Sequence, residues 1–224
     1  MVGYGVDVDV EDNGVAEATG TTLTINGAIL NGEVRGALVN ALKDGKASDT
    51  KVTITGGELT ELLNAAEVQA NEDGSIGEAN NTTLIINGTK IRTTAAHIQG
   101  AEVSANAGGE ILSAKNTTVK LLNLPADSKM GELTGVSIHS DTGARSIASA
   151  TVDTTEVEMN GGKVEEVVGA KIDHAEKVET NKTSVTLNNV TAKSVTGVHV
   201  DDTAENPIDT ITATTNNTTV TLND

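Results

Sequence analysis

The sequence predicts an all-β chain wound as a right-handed parallel β-helix, a β-solenoid of about six to seven coils with three short strands in each. Two observations carry that prediction. A pair of motifs recurs in fixed order along the whole chain, and aliphatic and polar residues alternate within each motif. A third observation says what the core must be made of: there is no Phe, no Trp and a single Tyr, Tyr4, so the interior is left to Val, Ile, Leu and Ala.

The first motif reads LTING (23–27), VTITG (52–56), LIING (84–88), VKLLN (119–123), VEMNG (157–161), VTLNN (185–189) and VTLND (220–224). Its starts are separated by 29, 32, 35, 38, 28 and 35 residues, a unit near 33 with elastic length. The second motif is a pair of small or aliphatic residues, a variable position, then Val or Ile. It reads GVDV (5–8), GALV (36–39), AAEV (65–68), GAEV (100–103), GVSI (135–138), GAKI (169–172) and GVHV (197–200). It starts 13, 13, 16, 16, 12 and 12 residues after the first. A fixed order at an elastic period marks a repeat architecture.

Alternation in VTL, VTI and VEM is the period-2 signature of a half-buried strand, and nothing in the chain carries the 3.6-residue period of a helix. A third, weaker segment is centred on Ile76, Ile111, Ile147, Val178 and Ile211, and it ends in polar clusters such as NNTT (80–83), NTT (116–118) and NKTS (181–184). Strands of this length, without hairpin spacing, predict coils that stack in parallel. Extra residues leave at turns, so the longest unit is expected to carry a loop over 122–133, where Pro125 cannot donate to a ladder. The small pair suits a bend between strands. The variable position, filled by Asp7, Leu38, Glu67, Glu102, Ser137, Lys171 and His199, is expected to face solvent.

Composition also removes functions. With no cysteine there is no disulfide, thiolate metal site or cysteine nucleophile. A net charge of −17, from 32 acidic and 15 basic residues, opposes binding to nucleic acid or to an anionic membrane surface. No apolar run reaches the ~20 residues that span a bilayer. Gly-rich acidic sequence follows Met1, so any export signal is expected outside this chain.

Asn26, Asn87, Asn160, Asn188 and Asn223 share one repeat position, with Thr55 in the second unit. Stacked amides there are expected to form a structural ladder that holds coil register. His97, His139, His174 and His199 share no common place and form no metal-binding pair, so they read as solvated surface residues. The acidic runs DVDVED (7–12) and DD (201–202) lack the EF-hand and nonapeptide calcium patterns and read as solvated edges. Glu165 and Glu166, adjacent on a strand, are expected to point to opposite faces. No catalytic, cofactor-binding or metal residue is assigned, and no cofactor is expected.

TLTINGAILNGEVRGALV (22–39), VEMNGGKVEEVVGAKI (157–172) and SVTLNNVTAKSVTGVHV (184–200), in a cysteine-free and aromatic-poor chain, resemble the passenger regions of bacterial autotransporters, the type V secreted adhesins. The resemblance implies that residues 1–224 are one continuous solenoid segment of a longer passenger, displayed on the bacterial surface and anchored outside this chain. It implies a non-enzymatic role in adhesion, aggregation or biofilm formation. The implied partners are a protein or glycan on a host or bacterial cell, self-association included, without nucleic acid and without membrane insertion of this segment. The competing readings are a polysaccharide-degrading β-helix enzyme, acting through loops 122–133 or 201–210, and a pure stalk for a distant binding tip.

Overall fold

The computed structural model of the chain describes residues 3–10, 14–140, 146–202 and 211–223. Among them the regular elements are all β-strands, stacked in parallel as a solenoid of about six turns. No helix among the described residues is long and apolar enough to cross a membrane.

Three sheets run along the axis. The first has seven strands, Gly3–Val10, Val34–Ala41, Leu63–Ala70, His97–Ala105, Lys129–Ser140, Lys163–Asp173 and Thr191–Asp201, each pairing with the next. It carries the second motif. The second sheet has eleven strands and carries both the third segment and the first motif. Its two limbs are separate in early coils, as in Ala16–Thr19 and Thr22–Asn26, and merge later into Ile111–Leu122, Ser149–Asn160 and Lys177–Asn188. The third sheet is a short ladder of Ile29–Leu30, Glu58–Leu59 and Lys90–Ile91, placed just after the first motif. Pro125 lies in the turn between Leu122 and Lys129, where the Ser128 amide bonds its carbonyl at 2.8 Å.

Register places like on like. Val39, Val68, Val103, Ile138, Ile172 and Val200 form one column. Ile25, Ile54, Ile86, Leu121, Met159, Leu187 and Leu222 form another. The core falls into two compartments. One is rich in Ala and Val, between the later halves of the first-sheet strands and the first limb of the second sheet. The other is filled by Leu, Ile, Val and Met beneath the first motif.

The small pair lies where the two compartments meet. A Cβ built on Gly100, Gly135 or Gly169 would come within 2.6 Å of a carbonyl oxygen on the next coil. It would come equally close to a threonine methyl across the core, on Thr117, Thr155 and Thr183 respectively. Glycine there is a packing requirement set by the narrow waist of the cross-section, more than by a bend. Ala65 occupies this position in one coil.

The corner between the limbs of the second sheet turns through left-handed backbone. Its column is Gly20 (φ 71), Asp49 (54), Asn81 (55), Asn116 (55), Thr154 (59), Lys182 (48) and Asn217 (52). The next corner uses Gly27, Gly56, Gly88, Asn123, Gly161 and Asn189, all at positive φ. Gly, Asn and Asp tolerate this region best, and a β-branched residue such as Thr154 is strained in it.

Two expectations are corrected. The third segment is not centred on Ile76 and Ile111: they stand 41% and 50% exposed at strand starts, and their successors Gly77 and Leu112 take the inward column with Ala150 and Val178. A one-residue shift exchanges faces. The variable position of the second motif does point outward, yet Glu67 and Ser137 are buried there, Glu67 with Arg35 of the preceding coil bonded to it.

Gly135→Ala is expected to destabilise the chain by about 1–3 kcal/mol through overpacking of the waist. Urea denaturation followed by far-UV circular dichroism measures it; an unchanged midpoint would show that the waist can open.

Candidate functional site

The five asparagines of the expected ladder do share one register column, interrupted by Thr55 and Leu122. Their side chains meet only in part. Asn223 donates to Asn188 at 2.8 Å. Asn87 accepts at 2.9 Å from Asn123, which belongs to the adjoining corner column. Asn26 and Asn160 share the column by register without an amide bond among the described residues. Thr55 and Leu122 cannot continue an amide chain, so the ladder breaks into short pieces.

More continuous ladders stand at other positions. In the left-handed corner Asn116 donates to Asn81 at 2.9 Å and Asn81 to Asp49 at 2.8 Å. At the end of the first-sheet strands Asn71 donates to Asn40 at 2.6 Å and to the Ala41 carbonyl at 3.0 Å, and Asn106 donates to Asn71. The clusters NNTT and NTT signal the corner ladder, because each places an Asn immediately before a buried inward Thr, Thr82 or Thr117.

The outer face of the first sheet is laced by charge. Arg35 bonds Glu67 on the next coil and Glu33 at 2.5 Å. Asn64 bridges Glu67 at 3.0 Å and Glu102 at 2.6 Å, Gln69 reaches Glu67 at 3.3 Å, and His139 lies 3.7 Å from Glu102. Burial works to lower the Arg35 pKa, but hydrogen bonds and charge from Glu67 and Glu33 outweigh it and hold the guanidinium above its ordinary value. Further along, Glu132 takes a hydrogen bond from Thr134 at 2.7 Å and lies 3.4 Å from Lys171 and 3.5 Å from His97. Burial pushes the Glu132 carboxyl up, while Thr134, Lys171 and His97 together hold it below the usual glutamate value. On the second sheet Lys120 pairs with Glu156 at 3.0 Å and Glu158 at 3.4 Å. The hydrogen bond that Lys120 donates to Glu156 leads in holding the lysine above its ordinary value.

The histidines divide. His97, His139 and His199 stand on the outer face, exposed or half-buried, near Glu132, Glu102 and Asp201. His174 is a correction: it is 2% exposed, with Nδ1 2.6 Å from Asp202. A left-handed turn at φ 59 tucks it against the adjacent coil, where its amide bonds the Asp201 carbonyl at 3.1 Å. Glu165 and Glu166 are also corrected. The register passes over Glu165 between Val164 and Glu166, so both side chains lie outside, Glu165 toward Lys193 at 2.6 Å and Glu166 opposite Glu132. Part of DVDVED (7–12) and nearly all of loop 201–210 lie outside the described residues. Among the described residues no group of three or more His, Asp or Glu side chains is placed to hold a metal ion.

Chemically, these faces pair acid with base across coils and present hydroxyls, amides and compensated charge. Compared with protein-family models, curated proteins and solved structures, the chain matches none significantly.

Asn81→Ala removes two ladder bonds and puts Ala at positive φ, so a loss of about 1–2 kcal/mol is expected. Asn81→Gly keeps the backbone and should lose less, while Thr154→Asn should gain stability; thermal melting of the three variants ranks them. Because the folded carboxyl of Glu132 is depressed, its contribution is full above the ordinary glutamate value of 4.5 and is lost as pH falls below it. Melting between pH 3 and 6 should therefore show a shallower acid-side decline in Glu132→Gln than in the parent chain; parallel curves would refute the assignment.

Proposed function

We propose that the chain is a non-enzymatic adhesive segment of a bacterial surface protein, acting at the outer face of a cell. The observation that carries this reading is the first sheet's outer face, a seven-strand polar surface continuous from coil to coil. Such a surface suits many weak contacts made in parallel, where strength comes from copy number and effective concentration rather than from one deep site. The partners it would meet are proteins or glycans on a host or bacterial surface, including further copies of the same segment. The resemblance of its repeat to autotransporter passengers supports export and display.

Beads coated densely with the chain are expected to adhere to bacterial or host cells, or to one another, several-fold above beads coated with an unrelated acidic protein. Soluble chain in excess should suppress the effect. Equal retention of both bead types in every pairing would defeat the adhesive reading in favour of a stalk, and turnover of a polysaccharide by the purified chain would favour an enzyme.

A further inference from the structure

Among the described residues, one stretch sets cations directly opposite each other on successive coils. Where the strands Lys129–Ser140, Lys163–Asp173 and Thr191–Asp201 begin, a groove of about 280 Å³ is lined by Lys129, Lys163 and Lys193, by the single carboxylate Glu165, and by the hydroxyls of Thr94 and Thr191. Arg92 bridges to Lys129, and Lys129 pairs in register with Lys163, so three cations occupy one column on successive coils. Arg92 is neutralised by Glu58 on the preceding coil, and Lys193 by Glu165 at 2.6 Å. Lys129 and Lys163 are exposed and pair with no carboxylate among the described residues. Like charges directly opposite on neighbouring strands destabilise a sheet. In a chain with 32 acidic residues a carboxylate was available to almost any neighbour.

The groove is built. Met130 and Val164 form an apolar floor, 1% and 4% exposed. One wall is the turn at Thr93–Ala96, where the Ala96 amide bonds the Thr93 carbonyl at 3.1 Å and the Gly131 amide bonds the Ala96 carbonyl at 3.0 Å. A Cβ on Gly131 would meet the Thr94 carbonyl oxygen at 2.1 Å, so glycine there lets the wall close down on the strand.

We propose that this groove binds an acidic oligosaccharide, a sugar chain bearing a carboxylate or sulfate on successive rings. The two lysines stand one strand spacing apart, about 4.8 Å. A pyranose chain advances by a similar step per ring, and the long lysine stems let each ammonium reach an anion on its own ring. An extended acidic peptide sets its same-face carboxylates farther apart, about 6.7 Å, and a run of glutamates brings no hydroxyls for Thr94 and Thr191 to meet. The lysine stems offer apolar surface to the carbon faces of the rings above a floor closed by Met130 and Val164, and Thr94 and Thr191 line the groove with hydroxyls that can meet those of the sugar. The net negative charge of the chain is screened beyond about 8 Å at physiological ionic strength, so the groove acts as a local positive island. This deepens the adhesive reading by naming a ligand class and its site.

The test is calorimetric titration of the purified chain with a galacturonate tetrasaccharide, a sulfated heparin tetrasaccharide, cellotetraose and tetraglutamate. At least one anionic tetrasaccharide is expected to bind, cellotetraose and tetraglutamate are not, and affinity should fall as salt rises. The double variant Lys129→Gln/Lys163→Gln should weaken binding at least tenfold while keeping or raising the melting temperature. Lys51→Gln/Lys177→Gln, which changes exposed lysines elsewhere, should bind as the parent does. No binding by either anionic sugar, equal binding by the Lys129/Lys163 variant, or equal binding of tetraglutamate would each overturn the proposal. Tetrasaccharide binding without bead adhesion would leave the site and remove the adhesive role; adhesion without tetrasaccharide binding would do the reverse.

Discussion

Everything in this fold depends on the in-register parallel ladder. Each strand hydrogen-bonds to its equivalent one coil away, so every side chain lies about 4.8 Å from the side chain at the same repeat position. Aliphatic residues gain from that geometry, because identical branched side chains nest, as in the column from Val39 to Val200. Amides gain too, since each is both donor and acceptor, as Asn116, Asn81 and Asp49 illustrate. Charges lose unless the sign alternates or a bridging group intervenes. Asn64, set between Glu67 and Glu102, is such a group.

The ladder also dictates what the corners must be. A coil can turn only where one residue leaves the extended region, and it must do so at the same place in each coil or the strands on either side fall out of register. Hence a column of left-handed residues marks each corner. At the corner within the second sheet, the residue after the turn is a buried threonine in coil after coil, Thr21, Thr50, Thr82, Thr117, Thr155 and Thr183. The methyl groups of Thr50, Thr117, Thr155 and Thr183 face the glycine column across the waist. Corner, threonine and glycine are therefore one device seen from three sides. It explains why the small pair recurs in a chain whose loops are otherwise free to vary.

Much of this was legible in the sequence. The order of motifs predicted coils, and alternation within VTL, VTI and VEM predicted which residues face inward. Legibility stopped where alternation is interrupted. Hydrophobicity centres the third segment on Ile76 and Ile111, yet the inward column begins one residue later, at Gly77 and Leu112, and glycine carries no hydrophobic signal. His174 looked like surface because nothing local announces a left-handed turn when the residue is neither Gly nor Asn. The frequency of Asn places the expected amide ladder at the end of the first motif. The stronger corner ladder sits beside it, in the NNTT clusters that looked like loop composition. Ion pairs such as Arg35 with Glu67 join residues 32 positions apart, and they become visible only once the register is known.

Charge shows how architecture and recognition are connected. Any charged column that runs along a solenoid is either neutralised from a neighbouring column or left as an uncompensated line of one sign. The first solution produces surfaces such as that around Glu132, whose polar groups already satisfy one another and have little left to offer a ligand beyond breadth. The second produces fewer places, each with unspent electrostatic free energy and a spacing fixed by the strand ladder. A ligand for the second kind must repeat its charge at the pitch of the coil. The lysine column from Lys129 to Lys163 is of that kind, and its lysine stems add apolar contact area beside the charge. Recognition in such a fold is therefore concentrated where the column rule is broken, while the paired faces supply reach and solubility.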